Sequence, residues 1–496
     1  MKRAMSSYPM RWPCGPLEVA LRRRQTPSLP DEFKANLLQW MAPESLKLLS
    51  GTPINCLIVP WAAGVAEDEE QQRQLRPLLA RAQALGLEVV GRVYPQADIK
   101  NAATGGHAAG LSALALTSLP EATLALPVIE WAERDQIHWN ASSTAVALTD
   151  CVWPGIRGNA GRNGTAAVAG PTGIPWLDTN AWLSQWARQR CKSKRLWLAF
   201  EPAMSESAVD AASYRLALAD SESSGARWIV SLDDRFRSAL SDQQAAALEQ
   251  WDQITEVVAF FRSRSAWDEL HPKAALGMAA GDSAAEAFMQ GEILNLLGRR
   301  QVPFRILGKC PWKGEETQNL VAILCSEAGV PDAAERGLLL KFAEHGGLLI
   351  VPNTWEKPTG TVLSHDLEDD YVLVRCGSGR LAWSREAWQD PYRVAEAIHL
   401  LMSRRNDLFR LGNGASMSAR CTGSSDGTTM LIQLVSFDRR AGRVPVSLWV
   451  ESQFRTARFW KLGSNEPITL SSKPEQGGRE FSLPPFTTYA AVELAS

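Results

Sequence analysis

The chain has 496 residues, which at about 150 residues per domain corresponds to roughly three domains. Apolar residues make up 45% and charged residues 21%, which excludes a disordered, collagen-like or coiled-coil chain. Lys plus Arg number 52 against 54 for Asp plus Glu, so overall charge gives no reason to bind nucleic acid or an anionic membrane.

Residues 16 to 270 alternate short apolar runs with amphipathic stretches, the pattern of parallel strands covered by helices. The predicted strands are Leu17–Leu21, Ile54–Val59, Glu88–Val93, Ser112–Leu116, Leu124–Ile129, Ala145–Thr149, Leu196–Phe200 and Trp228–Leu232. Predicted helices fall at Pro30–Leu49, Glu69–Leu85, Gln96–Ala109, Asp178–Arg190, Ser207–Ser223 and Ser241–Leu270, with Asp178, Ser207 and Ser241 as capping residues. Eight βα-like units in about 250 residues match a (β/α)8 TIM-like barrel better than a doubly wound sheet. Only Thr117 to Thr123 separates the fourth and fifth strands, so the barrel should be irregular.

From Lys273 the pattern changes. Strands at Ala274–Ala279, Pro303–Leu307, Leu320–Cys325 and Leu348–Pro352 alternate with helices at Ser283–Arg299 and Asp332–His345, the second ended by Gly346 and Gly347. A helix at Pro391–Arg404 completes a small open α/β domain ending near 412. Beyond a Gly- and Ser-rich stretch, Gly412 to Thr428, read as a linker, come Met430–Ser436, Val446–Val450, Thr456–Leu462, Pro467–Leu470, Glu480–Leu483 and Tyr489–Leu494. These short runs between turn residues indicate a small antiparallel β domain. The expected domains are therefore 1–271, 272–412 and 413–496.

In a barrel, the residues that follow the strands build the site. Glu130, Asp150, Glu201 and Asp233 follow four consecutive predicted strands, and glycoside hydrolysis needs two such carboxylates. For any one of them, a helix cap or a salt bridge is the competing reading. The chain holds 19 Trp, and Trp61, Trp131, Trp153 and Trp176 lie near these positions, where indole can pack on sugar rings or cover the barrel as a hydrophobic lid. Asn159, in the Gly-rich stretch from Trp153 to Thr165, and His138 are further candidates for sugar contact. The stretch lacks the spacing of a phosphate loop.

Three segments carry a family resemblance: Trp251-Asp-Gln-Ile-Thr-Glu-Val-Val-Ala-Phe-Phe running on to Lys273-Ala-Ala-Leu-Gly-Met-Ala, Leu338-Leu-Leu-Lys-Phe-Ala-Glu-His-Gly-Gly-Leu-Leu-Ile-Val, and Arg479-Glu-Phe-Ser-Leu-Pro-Pro-Phe-Thr-Thr-Tyr-Ala-Ala-Val. Together with the domain order they resemble the bacterial β-galactosidase family, which has a glycosidase barrel, a class I glutamine amidotransferase-like trimerisation domain and a C-terminal β domain. The resemblance implies a saccharide or glycoside ligand, a homotrimer, and a nucleophile at the end of the seventh strand, where Glu201 stands. The family's acid/base Glu ends the fourth strand, where this chain has Thr117-Ser118. Either Asp150, Glu130 or Asp233 takes that role, or the barrel is catalytically degenerate and serves as a carbohydrate-binding or assembly module.

A third reading, amidotransferase, needs a nucleophilic elbow. Cys325 lies in Ile323-Leu-Cys-Ser-Glu-Ala-Gly329, which lacks one, so it reads as a buried thiol. The eight cysteines form no CxxC pair and the six histidines no HxH or HExxH spacing, so neither metal nor cofactor is expected. Scattered thiols and the absence of a clear signal peptide point to a cytoplasmic protein, without a spanning helix.

Overall fold

The computed structural model describes residues 7–121, 123–157, 176–191, 194–202, 209–279, 284–308, 312, 314–325, 331–364, 370–438, 445–451 and 453–496. Two compact units result: 1–153 with 191–265, and 154–190 with 266–496.

The first unit is built on eight parallel strands in sequence order. They are β1 (Pro9–Arg11), β2 (Cys56–Ala62), β3 (Glu88–Val93), β4 (Ala113–Leu116), β5 (Val128–Ala132), β6 (Ala145–Leu148), β7 (Arg195–Leu198) and β8 (Arg227–Trp228). A parallel bridge from Met10 to Val230 draws the sheet round on itself. There Arg11 N–H donates to the Val230 carbonyl at 2.9 Å and Val230 N–H to the Pro9 carbonyl at 3.0 Å. Seven of the eight predicted strands have counterparts here. The exception is Leu17–Leu21, which lies within helix α1 (Gly15–Gln25), while the first strand is the shorter Pro9–Arg11. Leu17, Val19 and Leu21 alternate like a strand for only five residues, whereas Pro16 in the first turn and Arg22, Arg23 and Arg24 in the last suit a helix. Gly15 makes this entry possible. Its φ is +84°, and a Cβ there would meet the Gln71 amide oxygen at 2.2 Å.

Helices cover this barrel unevenly. Helix α2 (Asp31–Gln39) precedes β2, α3 (Asp68–Ala84) follows it, and α4 (Ile99–Ala109) follows β3. Among the described residues no helix joins β4 to β5, and only a three-residue 3-10 turn, Arg134–Gln136, lies between β5 and β6. After β6 the chain enters the second unit, where α5 (Ala181–Arg190) packs. Helices α6 (Ala211–Ser223), α7 (Asp234–Ser241) and α8 (Ala245–Arg262) complete the first unit. The barrel interior is a layer of Cys56, Ile58, Val90, Ala113, Ala115, Ile129, Trp131, Ala145, Ala147, Trp197, Ala199 and Ile229. In each strand these occupy alternate positions, so the phase fixes which neighbours point inward.

In the second unit, β9 (Leu276–Ala279), β10 (Phe304–Leu307), β11 (Ala322–Cys325) and β12 (Leu348–Val351) run parallel in the order β10-β9-β11-β12. Strands β13 (Val362–Ser364), β14 (Tyr371–Cys376) and β15 (Gly379–Ser384) extend the sheet, β15 parallel to β12 and paired antiparallel with β14. Helices α9 (Ala284–Arg299), α10 (Ala333–Glu344) and α11 (Pro391–Met402) accompany it. Two antiparallel sheets then stack as a sandwich. One runs through His271–Pro272, Met417–Gly423, Thr429–Ser436, Tyr489–Ala495, Thr456–Lys461 and Ile468–Thr469, and the other through Phe409–Gly412, Val446–Glu451, Gly478–Leu483 and Ser472–Glu475. Their shared core includes Ile432, Leu434, Val492, Leu448, Val450 and Phe481. The expected linker from Gly412 to Thr428 is corrected here: Met417–Gly423 is a strand in a hairpin with Thr429–Ser436. The Gly and Ser content belongs to its turn, where Asp426 accepts from Thr428 N–H at 3.0 Å.

Candidate functional site at the barrel mouth

The inward phase places Arg11 of β1, Arg92 of β3, Trp131 of β5 and Glu201, just beyond β7, at the ends of the strands where a barrel builds its site. Glu201 accepts from Arg11 at 2.8 Å and from Arg92. Arg92 is itself packed between aromatic rings, 4.6 Å from the Trp131 centroid and 4.9 Å from that of Tyr94. Burial works to raise the Glu201 pKa, but the Arg11 and Arg92 guanidiniums outweigh it and bring the carboxyl down to about 2. With 37% of its side chain open to solvent, Glu201 is an accessible carboxylate.

Behind this pair lies an ionic chain. Arg11 also binds Glu18 at 3.0 Å, Glu18 binds Arg22 at 3.0 Å, and Arg22 reaches Asp234 at 3.5 Å. Asp234 meets the fully buried Arg237 at 2.6 Å, and Arg237 donates from Nε to Asn36 at 2.7 Å. Burial alone would lower the Arg11 pKa; Glu201 and Glu18 reverse that, so it is raised. Burial lowers that of Arg237 despite Asp234.

The other three expected carboxylates are bonded elsewhere. Glu130 lies inside β5, between the inward Ile129 and Trp131, so its side chain points outward. There it is buried and accepts from Ser143 Oγ at 2.6 Å and His138 N–H at 2.7 Å, with Lys194 at 3.7 Å. Asp233 caps α7, accepting from Arg235 N–H at 3.1 Å and Phe236 N–H at 3.0 Å, and from the Tyr214 hydroxyl at 3.1 Å. Asp150, just past β6, is paired with Arg134 at 3.0 Å, and burial raises its pKa against that cation. His138 stands beside Glu130, its Nδ1 3.3 Å from the carboxylate, on the outside of the sheet.

The tryptophans divide too. Trp61 is buried, donates to the Ala102 carbonyl at 2.9 Å, and packs against Gly91 so closely that a Cβ there would lie 3.0 Å from its own, so it is filler between sheet and α4. Trp131 faces the mouth but lies under Arg92. Trp153 is half-buried, edge-on to Phe200, Tyr214 and Trp228 at 5.3–5.5 Å. Trp176 belongs to the second unit, stacked on Tyr392 at 6.5 Å with Arg157 over its ring. Asn159 lies outside the described residues. Sequence reasoning missed Arg11 and Arg92. The signal for Arg92 was its phase: two residues past the inward Val90 at a strand end.

Among the described residues no cluster of three or more His, Cys, Asp or Glu could hold a metal ion. Cys325 is buried in β11, and burial pushes its thiol pKa well above the ordinary range, away from nucleophilic use. No helix among the described residues is long and apolar enough to cross a membrane.

No family model matches the chain, and no curated protein matches its sequence. Solved structures do match. α-L-Fucosidase isoenzyme 2 from Paenibacillus thiaminolyticus is 10% identical with a TM-score of 0.58, covering 91% of this chain and 95% of that one. Exo-β-1,4-mannosidase Op5Man5 from Opitutaceae bacterium strain TAV5 is 12% identical with a TM-score of 0.48, covering 80% and 96%. β-Galactosidase from Bacillus circulans sp. alkalophilus is 9% identical with a TM-score of 0.44, covering 87% and 68%. The chain therefore shares its fold with that fucosidase, a TIM barrel carrying further α/β and β elements.

Proposed function

We propose that this protein holds a saccharide at the mouth of its barrel and does not cleave it by a carboxylate pair. One observation carries the reading. Of the four expected carboxylates only Glu201 stands with the inward residues at the mouth, and it is clamped by Arg11 and Arg92. Hydrolysis needs one carboxyl that is protonated near neutral pH and a second that is ionised. A group with a pKa of about 2 cannot be the acid. Asp150, whose pKa is raised, is committed to Arg134, and Glu130 and Asp233 serve the surrounding structure. A fixed carboxylate flanked by guanidinium donors is, in contrast, a ready acceptor and donor set for sugar hydroxyls.

The test uses nitrophenyl glycosides and a set of free oligosaccharides with wild type, Glu201→Gln and Arg92→Met. The proposal expects no turnover on any glycoside and saturable binding of at least one oligosaccharide, weakened by both variants. Wild-type turnover that vanishes in Glu201→Gln would instead establish the second reading, in which the ionised, open Glu201 is a nucleophile. Absence of binding together with absence of turnover would refute both. The family resemblance adds a homotrimer to the proposal, which size-exclusion chromatography with light scattering tests directly.

A further inference from the structure

Apart from the barrel, the α/β sheet of the second unit carries a cavity of about 550 Å³. It lies where β11 and β12 begin and α10 ends, walled by Trp312, Leu320, Leu338 and Phe342 with Lys341 and His345 at its rim. Its size falls in the range of small-molecule sites, about 300–1,000 Å³. The walls are fixed from behind: Trp312, Leu320 and Phe342 pack on the buried cluster of Ile323, Leu349 and Val351. Trp312 also spends its indole N–H on the Gly308 carbonyl at 2.6 Å, so its ring is held as a surface. Among the described lining residues there is no carboxylate. Lys341 is exposed, and its ammonium has no acceptor within bonding distance among the described residues. His345 Nδ1 sits 2.7 Å from the Lys341 carbonyl, leaving Nε2 for a ligand.

We propose that this cavity binds a small organic carboxylate with a flat apolar body, its ring against Trp312 and Phe342 and its carboxylate on Lys341. The apolar walls supply contact area and the Lys341 ammonium supplies the preference for an anion. This is independent of any saccharide at the barrel.

The experiment compares 2-naphthoate with its neutral counterpart, 2-naphthalenemethanol, by saturation-transfer NMR and calorimetry on the full chain. The proposal expects 2-naphthoate to bind about tenfold more tightly, the scale of one charge-assisted contact. Lys341→Met, at an exposed position, should bring the two affinities together, and Leu338→Trp, which fills the cavity, should abolish both. Equal wild-type affinities, no saturable binding, or unchanged 2-naphthoate binding in either variant would overturn it. Circular dichroism of each variant against wild type keeps loss of folding apart from loss of binding.

Discussion

The two ends of the barrel interior both carry ion pairs, yet they are built differently. Where the strands begin, Arg195 pairs with Glu88 at 2.9 Å, and Ser7 adds a hydroxyl to the same carboxylate at 2.9 Å. That is one cation on one anion. Where the strands end, two guanidiniums converge on Glu201, and the excess charge is carried off through Glu18, Arg22 and Asp234 to Arg237. A simple plug suffices for stability, whereas an open carboxylate between two arginines costs a buried chain of counter-charges to maintain. In barrels the strand-end face carries the site and the opposite face carries stability. Under the proposed function, the asymmetry in ionic construction is the physical form of that division here.

The comparison breaks most visibly at Glu18. This residue is buried and holds both Arg11 and Arg22. Glu18→Gln leaves Arg11 with Glu201 alone and Arg22 with Asp234 alone, so two largely buried cations lose the counter-charge they share, and the expected loss is about 3–5 kcal/mol in urea unfolding. A loss under about 1 kcal/mol would show that the chain of charges is decorative.

Arg92→Met sharpens it. Removing one of two cations should move the Glu201 carboxyl up from about 2 toward the ordinary glutamate value near 4.3, read by carbon-detected NMR titration. The same shift sets a pH dependence. Because folding lowers this pKa, its contribution to stability is fully present above about 4.3 and is lost as pH falls toward 2. In urea titrations the wild type should lose stability across that window, and Glu201→Gln should flatten that part of the curve. Identical acid limbs would refute the assigned pKa.

What the sequence made legible follows from which signals are local. The strands of the barrel interior are short runs of Val, Ile, Leu and Ala between polar segments, and β3 lies at Glu88–Val93 as expected. β1 was hidden because Pro9-Met-Arg has no alternation to read, while Leu17–Leu21 in α1 imitates one. The site was harder. Position after a strand is visible in sequence, but the inward or outward phase depends on where the strand stops. β5 runs to Ala132 rather than ending at Ile129, so Glu130 is a mid-strand residue on the far face. Asp233 carried its own warning: Asp at the start of a helical stretch is a cap signal. The role of Arg11 was not legible, since it depends on Met10 meeting Val230, a pairing across almost the whole first unit.

The smallest effect is expected at the other end of the barrel. Glu88→Gln leaves the Ser7 and Arg195 partners in place and deletes one charge from a pair whose side chains are 42% and 24% open. Such pairs are worth about 0–1 kcal/mol and weaken further with salt. Arg195 also lies 5.4 Å from the Trp197 ring, a contact the variant keeps. The urea midpoint of Glu88→Gln should therefore approach that of wild type as NaCl rises, while the Glu18→Gln deficit persists because its charges are shielded from the solvent. If salt erased both deficits equally, the buried chain behind Glu201 would be no different in kind from the plug at the strand starts. The electrostatic basis for placing the site at Glu201 would then be gone.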